Sequence, residues 1–222
     1  MRLHTAAVLL CALTTLAAPS VAHAAPTEAP GDTVTLPVRD ALQALTVADE
    51  SRTGYTRDKF KHWIDADRDG CNARAEVLIS EAVVAPDQGA RCALAGGLWW
   101  SAYDDVYLDS ARQLDVDHLV PLAEAWDSGA SAWTAKEREA YANDLDDPRA
   151  LIAVSAASNR SKSDQDPRQW LPTSRGYRCR YVTDWIADKT RYALAVDPAE
   201  QTALTETLAD CPNEPLTVTL AR

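Results

Sequence analysis

The first 24 residues have the three-part pattern of a secretory signal peptide, and this sets the redox environment in which the rest of the chain folds. Arg2 supplies the positive charge, residues 6–18 form an apolar run too short to span a bilayer, and Ala22-His23-Ala24 is a small-residue cleavage site. No other apolar run approaches the ~20 residues of a membrane span. We therefore predict a secreted, extracellular protein with no membrane segment.

Removal of this leader leaves four cysteines, an even number in an oxidising compartment, which predicts two disulfide bonds. Four cysteines allow three pairings, and we favour the one in which each bond encloses a compact segment. In that pairing Cys71 is bonded to Cys92, and Cys179 is bonded to Cys211. The alternative, a zinc site, is disfavoured because the chain contains no Cys-x-x-Cys motif.

Helical and strand-like patterns are mixed along the chain, without repeats, which predicts a single α+β domain. Residues 25–38 are rich in Pro, Thr and Gly and are expected to be a flexible lead-in, which leaves 39–222 as the folded domain. Apolar spacing predicts helices at 58–64 and 180–194. A capping box, Asp197-Pro198-Ala199-Glu200, opens a further helix. Strands are expected at 114–120, 151–154 and 216–220.

The charge of the chain restricts how it can bind nucleic acid. A formal net charge of −11 argues against a protein that coats nucleic acid or membranes through a bulk positive field. A local basic stretch at residues 158–181 nevertheless interleaves Arg and Lys with Trp and Tyr, and such a strip can follow a phosphate backbone. Our candidates for substrate binding are Arg160, Arg168 and Arg175. The alternative is a cationic surface that packs against acidic helices.

The residue types needed for phosphodiester hydrolysis occur at the ends of two predicted strands. Asp117 and Asn159 offer the hard oxygen ligands that Mg²⁺ prefers. His118, near its ordinary pKa of about 6.5, can accept a proton from water. A divalent cation beside an imidazole can activate water and neutralise the charge of the transition state. We therefore expect a rate that rises with pH as His118 loses its proton.

The Asp-His-x-x-Pro motif at 117–121 and the Asn-Arg-Ser-Lys motif at 159–162 resemble those of HNH endonucleases, which share a ββα-metal core. The likeness is greatest to secreted actinobacterial members of that family. The chain is also similar to the C-terminal nuclease domain of modification-dependent restriction enzymes. The resemblance implies a core at about 111–172, in which Asp117 and Asn159 hold the metal and His118 is the general base.

The same resemblance assigns two further catalytic residues and shows one departure. It places Lys162 near the scissile phosphate and Arg74 near the active site, where a guanidinium could grip a phosphate. Many relatives have Asn immediately before the Leu of the second strand, whereas this chain has Ala150. The strand-bracing hydrogen bond of the family is therefore not expected here.

A second metal-binding pattern covers residues 65–76, which match the twelve-residue loop of an EF-hand. The flanking residues 60–64 and 77–84 would supply its helices. Cys71 inside the loop and Asn72, at a position that is usually apolar, depart from the pattern. The alternative is an acidic turn that caps a helix. The candidate calcium ligands are Asp65, Asp67, Asp69 and Glu76.

Taken together, these patterns predict a secreted, monomeric, metal-dependent HNH endonuclease that cleaves DNA, with RNA as a second substrate class, and has little sequence specificity. Mg²⁺ is the expected cofactor, with Mn²⁺ or Ca²⁺ as alternatives and a structural Ca²⁺ at residues 65–76. The competing interpretation is a non-catalytic extracellular calcium-binding module that uses this loop. A serine hydrolase is disfavoured because the chain has no Gly-x-Ser-x-Gly motif.

Overall fold

The computed structural model describes residues 29–222, so the leader predicted at residues 1–24 lies outside it. Within the described range, α-helices pack around short strands that pair into two-stranded antiparallel sheets. The helices are α1 (Val38–Ala44), α2 (Ala73–Ser80), α3 (Leu122–Asp127), α4 (Ala135–Ala142), α5 (Ala156–Lys162), α6 (Arg178–Arg191) and α7 (Pro198–Ala209). The strands are β1 (Thr33–Pro37), β2 (Asp87–Gln88), β3 (Leu94–Ala95), β4 (Trp99–Ser101), β5 (Val106–Leu108), β6 (Leu114–His118), β7 (Leu151–Ser155) and β8 (Pro215–Thr219). The predicted α+β class is confirmed.

The predicted flexible lead-in at 25–38 is wrong in its second half. Strand β1 pairs with β8 along its whole length, from Thr33 opposite Thr219 to Pro37 opposite Pro215. Val34 and Leu36 alternate with more exposed residues, so one face of β1 packs inward. Composition alone missed this strand because its partner lies at the other end of the chain.

Helix α6 is the centre of the larger hydrophobic core. Its apolar stripe is fully buried, with Tyr181, Val182, Trp185 and Ile186 all at 0% exposure. This stripe has the i, i+3, i+4 spacing of a helix with one face in the core. The helix predicted at 180–194 is thereby confirmed, with bounds shifted by two or three residues.

Local capping signals place the start of α7 as the sequence predicts. The Asp197 side chain accepts the backbone amides of Ala199 and Glu200, and the Glu200 carboxylate accepts the amide of Asp197 in return. Pro198 occupies the first turn, where a missing amide proton costs nothing. These caps fix the orientation of Asp197 and Glu200.

The helix predicted at 58–64 is wrong. Residues Arg57–Lys59 form a single 3₁₀ turn, and the chain then becomes extended at Phe60. Phe60 is fully buried, while Trp63 adopts a left-handed backbone with φ of 58°. These two aromatic side chains pack independently instead of sharing one helical face, so the 65–76 loop has no entering helix.

Both predicted disulfide bonds are present. The bond between Cys71 and Cys92 ties the residues before α2 to the turn between β2 and β3. The bond between Cys179 and Cys211 joins the start of α6 to the end of α7. No helix within residues 29–222 combines the length and the apolar character needed to cross a bilayer.

Candidate active site

Strands β6 and β7 and helix α5 form a ββα unit that contains both motifs. The strands are antiparallel, with Asp117 opposite Ile152 and His118 opposite Leu151. Helix α5 follows β7 without a linker, because the Ser155 hydroxyl caps it by accepting the amide of Ser158. The helix then packs against β6. This arrangement brings α5 side chains onto the strand face that carries the acidic residues.

Asp117 is buried and is held by two side chains. Lys162 donates to Oδ1 at 3.0 Å and lies 2.8 Å from Oδ2, and the Tyr103 hydroxyl donates to Oδ2 at 2.7 Å. Burial raises the pKa of Asp117, and the Lys162 ammonium opposes that rise. Lys162 itself has no exposed surface. Its expected position at the scissile phosphate is therefore not observed: it is an internal partner that positions Asp117.

Asn159, predicted as a metal ligand beside Asp117, contacts the carboxylate of Asp115. Its Nδ2 donates to Oδ2 of Asp115 at 3.2 Å, and the Arg160 guanidinium lies 3.7 Å from the same carboxylate. The sequence prediction did not include Asp115. The period of two along a strand could have found it, because Asp115 and Asp117 point to the same face of β6.

His118 has a defined tautomer. Its Nε2 lies 2.9 Å from the carbonyl of Ala142, and because a carbonyl only accepts, Nε2 carries the proton. In a neutral imidazole Nδ1 is then the proton acceptor. Nδ1 makes no hydrogen bond to any of the described residues. The geometry therefore leaves His118 with one ring nitrogen whose lone pair is free.

Aromatic rings surround this imidazole and determine its charge state. The Trp63 ring is stacked on it at 5.1 Å between centroids, and the Tyr141 ring lies at 6.5 Å. Burial lowers the pKa of His118 to about 3. This pKa favours the neutral ring across pH 5–8, and the rise of the rate with pH stays a prediction. The sequence could not show this desolvation.

Arg74 lies beside the site and is held by the backbone. Its guanidinium donates to the carbonyl of Leu114 at 2.9 Å, directly before Asp115. This bond fixes the start of β6 relative to α2. In the described structure Arg74 thus braces the strand through backbone carbonyls.

The three predicted substrate-binding arginines remain available for contacts. Arg160, Arg168 and Arg175 are exposed, and Arg160 is the only one of them in an ion pair within residues 29–222, a long one of 3.7 Å. The aromatic residues among them have another role. Trp170 and Tyr181 pack with Tyr103 in the core, so they support the site instead of offering free faces to bases.

The residues on the α5-facing side of β6 fit a divalent cation by the chemistry of their donors. A carboxylate has about four lone-pair sites, and Tyr103 and Lys162 leave at least one on Asp117 free. The amide oxygen of Asn159 accepts no hydrogen bond from the described residues. Arg160 shields Asp115 weakly, since its side chain is 76% exposed. Hard oxygen donors of this kind suit Mg²⁺ or Mn²⁺.

The acidic loop at 65–76 brings its four predicted ligands close together. Asp65, Asp67 and Asp69 have carboxylate oxygens within 4.8 Å of one another, and Glu76 has one within 4.8 Å of Asp69. Gly70 has a φ of 102°, the left-handed turn that position 6 of such a loop requires. Burial, and then repulsion from the three aspartates, raises the pKa of Glu76.

Comparison with known proteins gives two matches. The family model for the C-terminal domain of GmrSD restriction endonucleases matches residues 86–207. An uncharacterized secreted protein from Arthroderma benhamiae is 39% identical over 209 residues, which cover 94% of this chain and 99% of that protein. No solved structure matches the chain. The named relative and the two disulfide bonds confirm the prediction of an extracellular protein.

Proposed function

Because this chain belongs to the nuclease family defined by the C-terminal domain of GmrSD restriction endonucleases, we propose that it is a secreted, metal-dependent HNH endonuclease. Its substrate is DNA, with RNA as a second substrate class, and it acts as a monomer with little sequence specificity. The ββα unit of β6, β7 and α5 is its catalytic core, and the domain around this core includes β1, which pairs with β8.

The state of His118 is the observation that carries this proposal. The Ala142 carbonyl fixes the tautomer, so Nδ1 carries the lone pair of the neutral ring. Burial lowers the pKa of His118 to about 3, which keeps this lone pair free between pH 5 and 8 but makes it less basic than that of a free imidazole. A neutral imidazole with a free lone pair is able to accept a proton from the attacking water molecule. Removal of such a base typically slows a reaction by about 10²–10⁴-fold.

Asp117 and Asn159 would hold the divalent cation, with Asp115 beside them. A bound cation of this kind supplies neutralisation of charge on the phosphate and the leaving oxygen. Lys162 and Tyr103 orient the Asp117 carboxylate, and Lys162 offsets its charge when the cation is absent. The Arg74 bond to the Leu114 carbonyl holds the strand that carries these carboxylates.

The exposed arginines support binding of a phosphate backbone without base readout. Arg160 lies on α5 next to the site, while Arg168 and Arg175 follow it in the chain. Such contacts bind all sequences alike and weaken as salt concentration rises. On a chain with a net charge of −11 this predicts weak binding and ready product release.

The test is digestion of plasmid DNA and of RNA by the purified protein in EDTA, Mg²⁺, Mn²⁺ or Ca²⁺. We expect cleavage with at least one of these metals and none in EDTA. His118→Gln keeps a donor for the Ala142 carbonyl but lacks the basic nitrogen, so it should lose about 10²–10⁴-fold in rate. His62→Gln is the matched control and should stay within a few-fold of wild type. Intact nucleic acid under all conditions would overturn the proposal.

The 65–76 loop supports a second function, calcium binding. The convergence of Asp65, Asp67 and Asp69 around Gly70 favours it. Isothermal titration with Ca²⁺ should show a site that the triple variant Asp65→Asn, Asp67→Asn, Asp69→Asn removes. If that variant binds as much Ca²⁺ as wild type, the loop is an acidic turn. If the protein binds Ca²⁺ here and cleaves nothing, the non-catalytic module is the better interpretation.

A further inference from the structure

A cluster of five carboxylates lies outside the residues assigned to the active site and to the acidic loop. Glu50 is at its centre: it has an oxygen within 4.8 Å of those of Glu124 and Asp127, and an oxygen within 4.8 Å of those of Asp166 and Asp197. We refer to these five residues as the acidic cage. They come from the segment after α1, from α3, from the turn after α5 and from the cap of α7, so a ligand bound here would join four parts of the chain.

The cations around the acidic cage do not match its charge. Arg52 pairs with Asp127 at 2.5 Å and Lys189 pairs with Glu124 at 2.8 Å. Both cations are shared with carboxylates outside the cage. The other three members of the cage, Glu50, Asp166 and Asp197, form no ion pair within residues 29–222. The cluster therefore keeps an excess of negative charge in a partly buried position.

Asp127 supplies an observation that is independent of the clustering. Its side chain is 4% exposed, and its Oδ2 accepts from Arg52. Its Oδ1 is buried and has no hydrogen-bond partner among the described residues. A buried carboxylate oxygen without a partner is costly, because desolvation is not compensated. A cation between Asp127, Glu50 and Glu124 would provide that partner.

Two other members of the acidic cage are oriented before any ligand binds. Oδ1 of Asp166, and likewise Oδ1 of Asp197, accepts the backbone amides of the residues two and three positions later, at 2.6–3.0 Å. In both residues Oδ2 accepts no hydrogen bond from the described residues. The backbone therefore fixes each carboxylate and leaves one oxygen free, which lowers the ordering cost of binding a cation.

Glu50 lies in the region where these negative charges meet. Glu50 is an exposed residue, but its carboxyl is partly desolvated. This partial desolvation, and then repulsion from Glu124 and Asp197, raises the pKa of Glu50 to about 8. Its side chain shows no ion pair that would stabilise the charged form within residues 29–222. This is the electrostatic setting in which a bound cation is favourable, in agreement with the geometry.

We propose that the acidic cage binds one divalent cation, Ca²⁺, through carboxylate oxygens that include those of Glu50, Glu124 and Asp127. Ca²⁺ accepts six to eight oxygen ligands in flexible geometry, whereas Mg²⁺ demands a near-ideal octahedron. The cage contains only hard oxygen donors, which disfavours zinc and copper. The bound ion stabilises the fold by joining the segment after α1 to α3, α5 and α7. This proposal does not rest on the nuclease activity.

The test measures Ca²⁺ binding and thermal stability in a background that lacks the acidic loop, the Asp65→Asn, Asp67→Asn, Asp69→Asn protein. In this background we compare Glu50→Gln with Glu206→Gln, which removes an exposed carboxylate of α7 outside the cage. Each protein is stripped with EDTA, melted with and without Ca²⁺, and titrated calorimetrically. Ca²⁺ at a hundredfold excess over Kd should raise the Tm of the Glu206→Gln protein by roughly 5–10 °C.

Glu50→Gln should lose that rise, and its titration should lack one site that the Glu206→Gln protein retains. Equal Tm shifts and equal stoichiometry in the two proteins would overturn the proposal. Plasmid cleavage is measured in parallel. A lack of nuclease activity is thereby distinguished from a lack of Ca²⁺ binding at the acidic cage. Because Glu50 is exposed and Gln has the same shape, this variant is expected to fold.

Glu50→Lys provides a second test by placing an ammonium group within the acidic cage. If the cage lacks positive charge, this variant should melt at a higher temperature than the Glu206→Gln protein in EDTA, and Ca²⁺ should no longer change its Tm. A lower Tm in EDTA together with an unchanged Ca²⁺ response would contradict the proposal.

Discussion

Lys162 and Lys189 are both fully buried, yet their surroundings shift their pKa values in opposite directions. Lys162 contacts one carboxylate, that of Asp117, and the carbonyl of His118 at 3.1 Å. Burial outweighs this single carboxylate and lowers the pKa of Lys162. We call Asp117, His118 and Lys162 the strand-end site.

Lys189 lies instead at the packing junction of α3, α6 and α7. Its ammonium contacts Glu124 at 2.8 Å and Glu200 at 2.7 Å, and it also donates to the Ser128 hydroxyl and the Ala195 carbonyl. The two carboxylates outweigh the burial penalty and raise the pKa of Lys189. We call Glu124, Lys189 and Glu200 the α3–α6–α7 junction.

The different surroundings of the two lysines suit Lys189 to a structural role and Lys162 to a role at the candidate active site. At the junction every donor of Lys189 is used and negative charge is in excess, so the lysine stays charged and fixed. At the strand-end site one lysine balances one carboxylate, and an incoming cation can share Asp117 with it. The number of carboxylates around a buried lysine, more than burial itself, decides which of the two roles is open.

The largest stability effect is expected at the junction. Lys189→Met would leave Glu124 and Glu200 buried without a cation, so we expect a loss of about 3–5 kcal/mol in the free energy of unfolding. Urea denaturation measures it. Lys136→Met, on the exposed face of α4, is the control and should change stability by less than about 0.5 kcal/mol. Similar urea midpoints for Lys189→Met and Lys136→Met would show that the Lys189 ion pairs do not stabilise the fold.

Lys162→Met should show the opposite balance, with a smaller loss of stability and a large loss of activity. Tyr103 still binds Asp117, and this one carboxyl can take up a proton, so we expect a loss of about 2–3 kcal/mol. Cleavage should fall at least tenfold at a temperature where the variant is folded by circular dichroism, because Asp117 is no longer held ionised. Normal cleavage by the folded variant would show that Lys162 does not position Asp117.

Glu81 extends the comparison to a buried carboxylate with no lysine. It accepts the amide of Ala153 on β7 at 2.8 Å, and burial raises its pKa to about 7. The native state therefore binds more protons than the unfolded state between about pH 4.5 and 7, and stability falls as pH rises through this window. Glu81→Gln should reduce this fall by about 1–3 kcal/mol. Urea midpoints at pH 4.5 and 7.5 measure it, and parallel pH profiles for the two proteins would contradict it.

The smallest effect is expected for the exposed arginines, because their substitution breaks no buried ion pair. Arg168→Ala combined with Arg175→Ala should weaken substrate binding several-fold. The slope of log KM against log salt concentration should fall by the amount expected for the loss of one to two phosphate contacts. The value of kcat should hardly change, since neither side chain reaches Asp117 or His118. Lys136→Ala is the control for the loss of one exposed cation and is compared with Arg168→Ala alone. Equal effects of these two single variants would show that the arginine acts only through net charge.

Much of the local structure could be predicted because it depends on neighbours in sequence. The capping box at Asp197 and Glu200 and the buried stripe of α6 follow from spacings of three and four residues. The two disulfides follow from an even cysteine count and compact segments. By contrast, β1 and the extended chain at Phe60 were missed, because pairing with β8 and aromatic packing depend on residues that are distant in sequence.

The candidate site could likewise be predicted only in part from the sequence. Its motifs at 117–121 and 159–162 indicated the ββα unit and the HNH resemblance, and strand periodicity could have added Asp115. No spacing of residues in the sequence could show that Lys162 contacts the buried Asp117 or that Asn159 contacts Asp115. Nor could it show that Glu50 lies close to four other carboxylates. These contacts join segments separated by many residues.

The sequence by itself determined the extracellular context, the cysteine pairs, the helix caps and the identity of the candidate ligands, since each depends on residue type and short-range spacing. Only the tertiary structure decided the charge states. Burial beside Trp63 and Tyr141 lowers the pKa of His118, although its hydrogen bond to the Ala142 carbonyl acts in the opposite direction. The count of carboxylates around each ammonium distinguishes Lys162 from Lys189. The physical reason is that desolvation and Coulomb energy depend on three-dimensional surroundings, which a linear pattern does not contain.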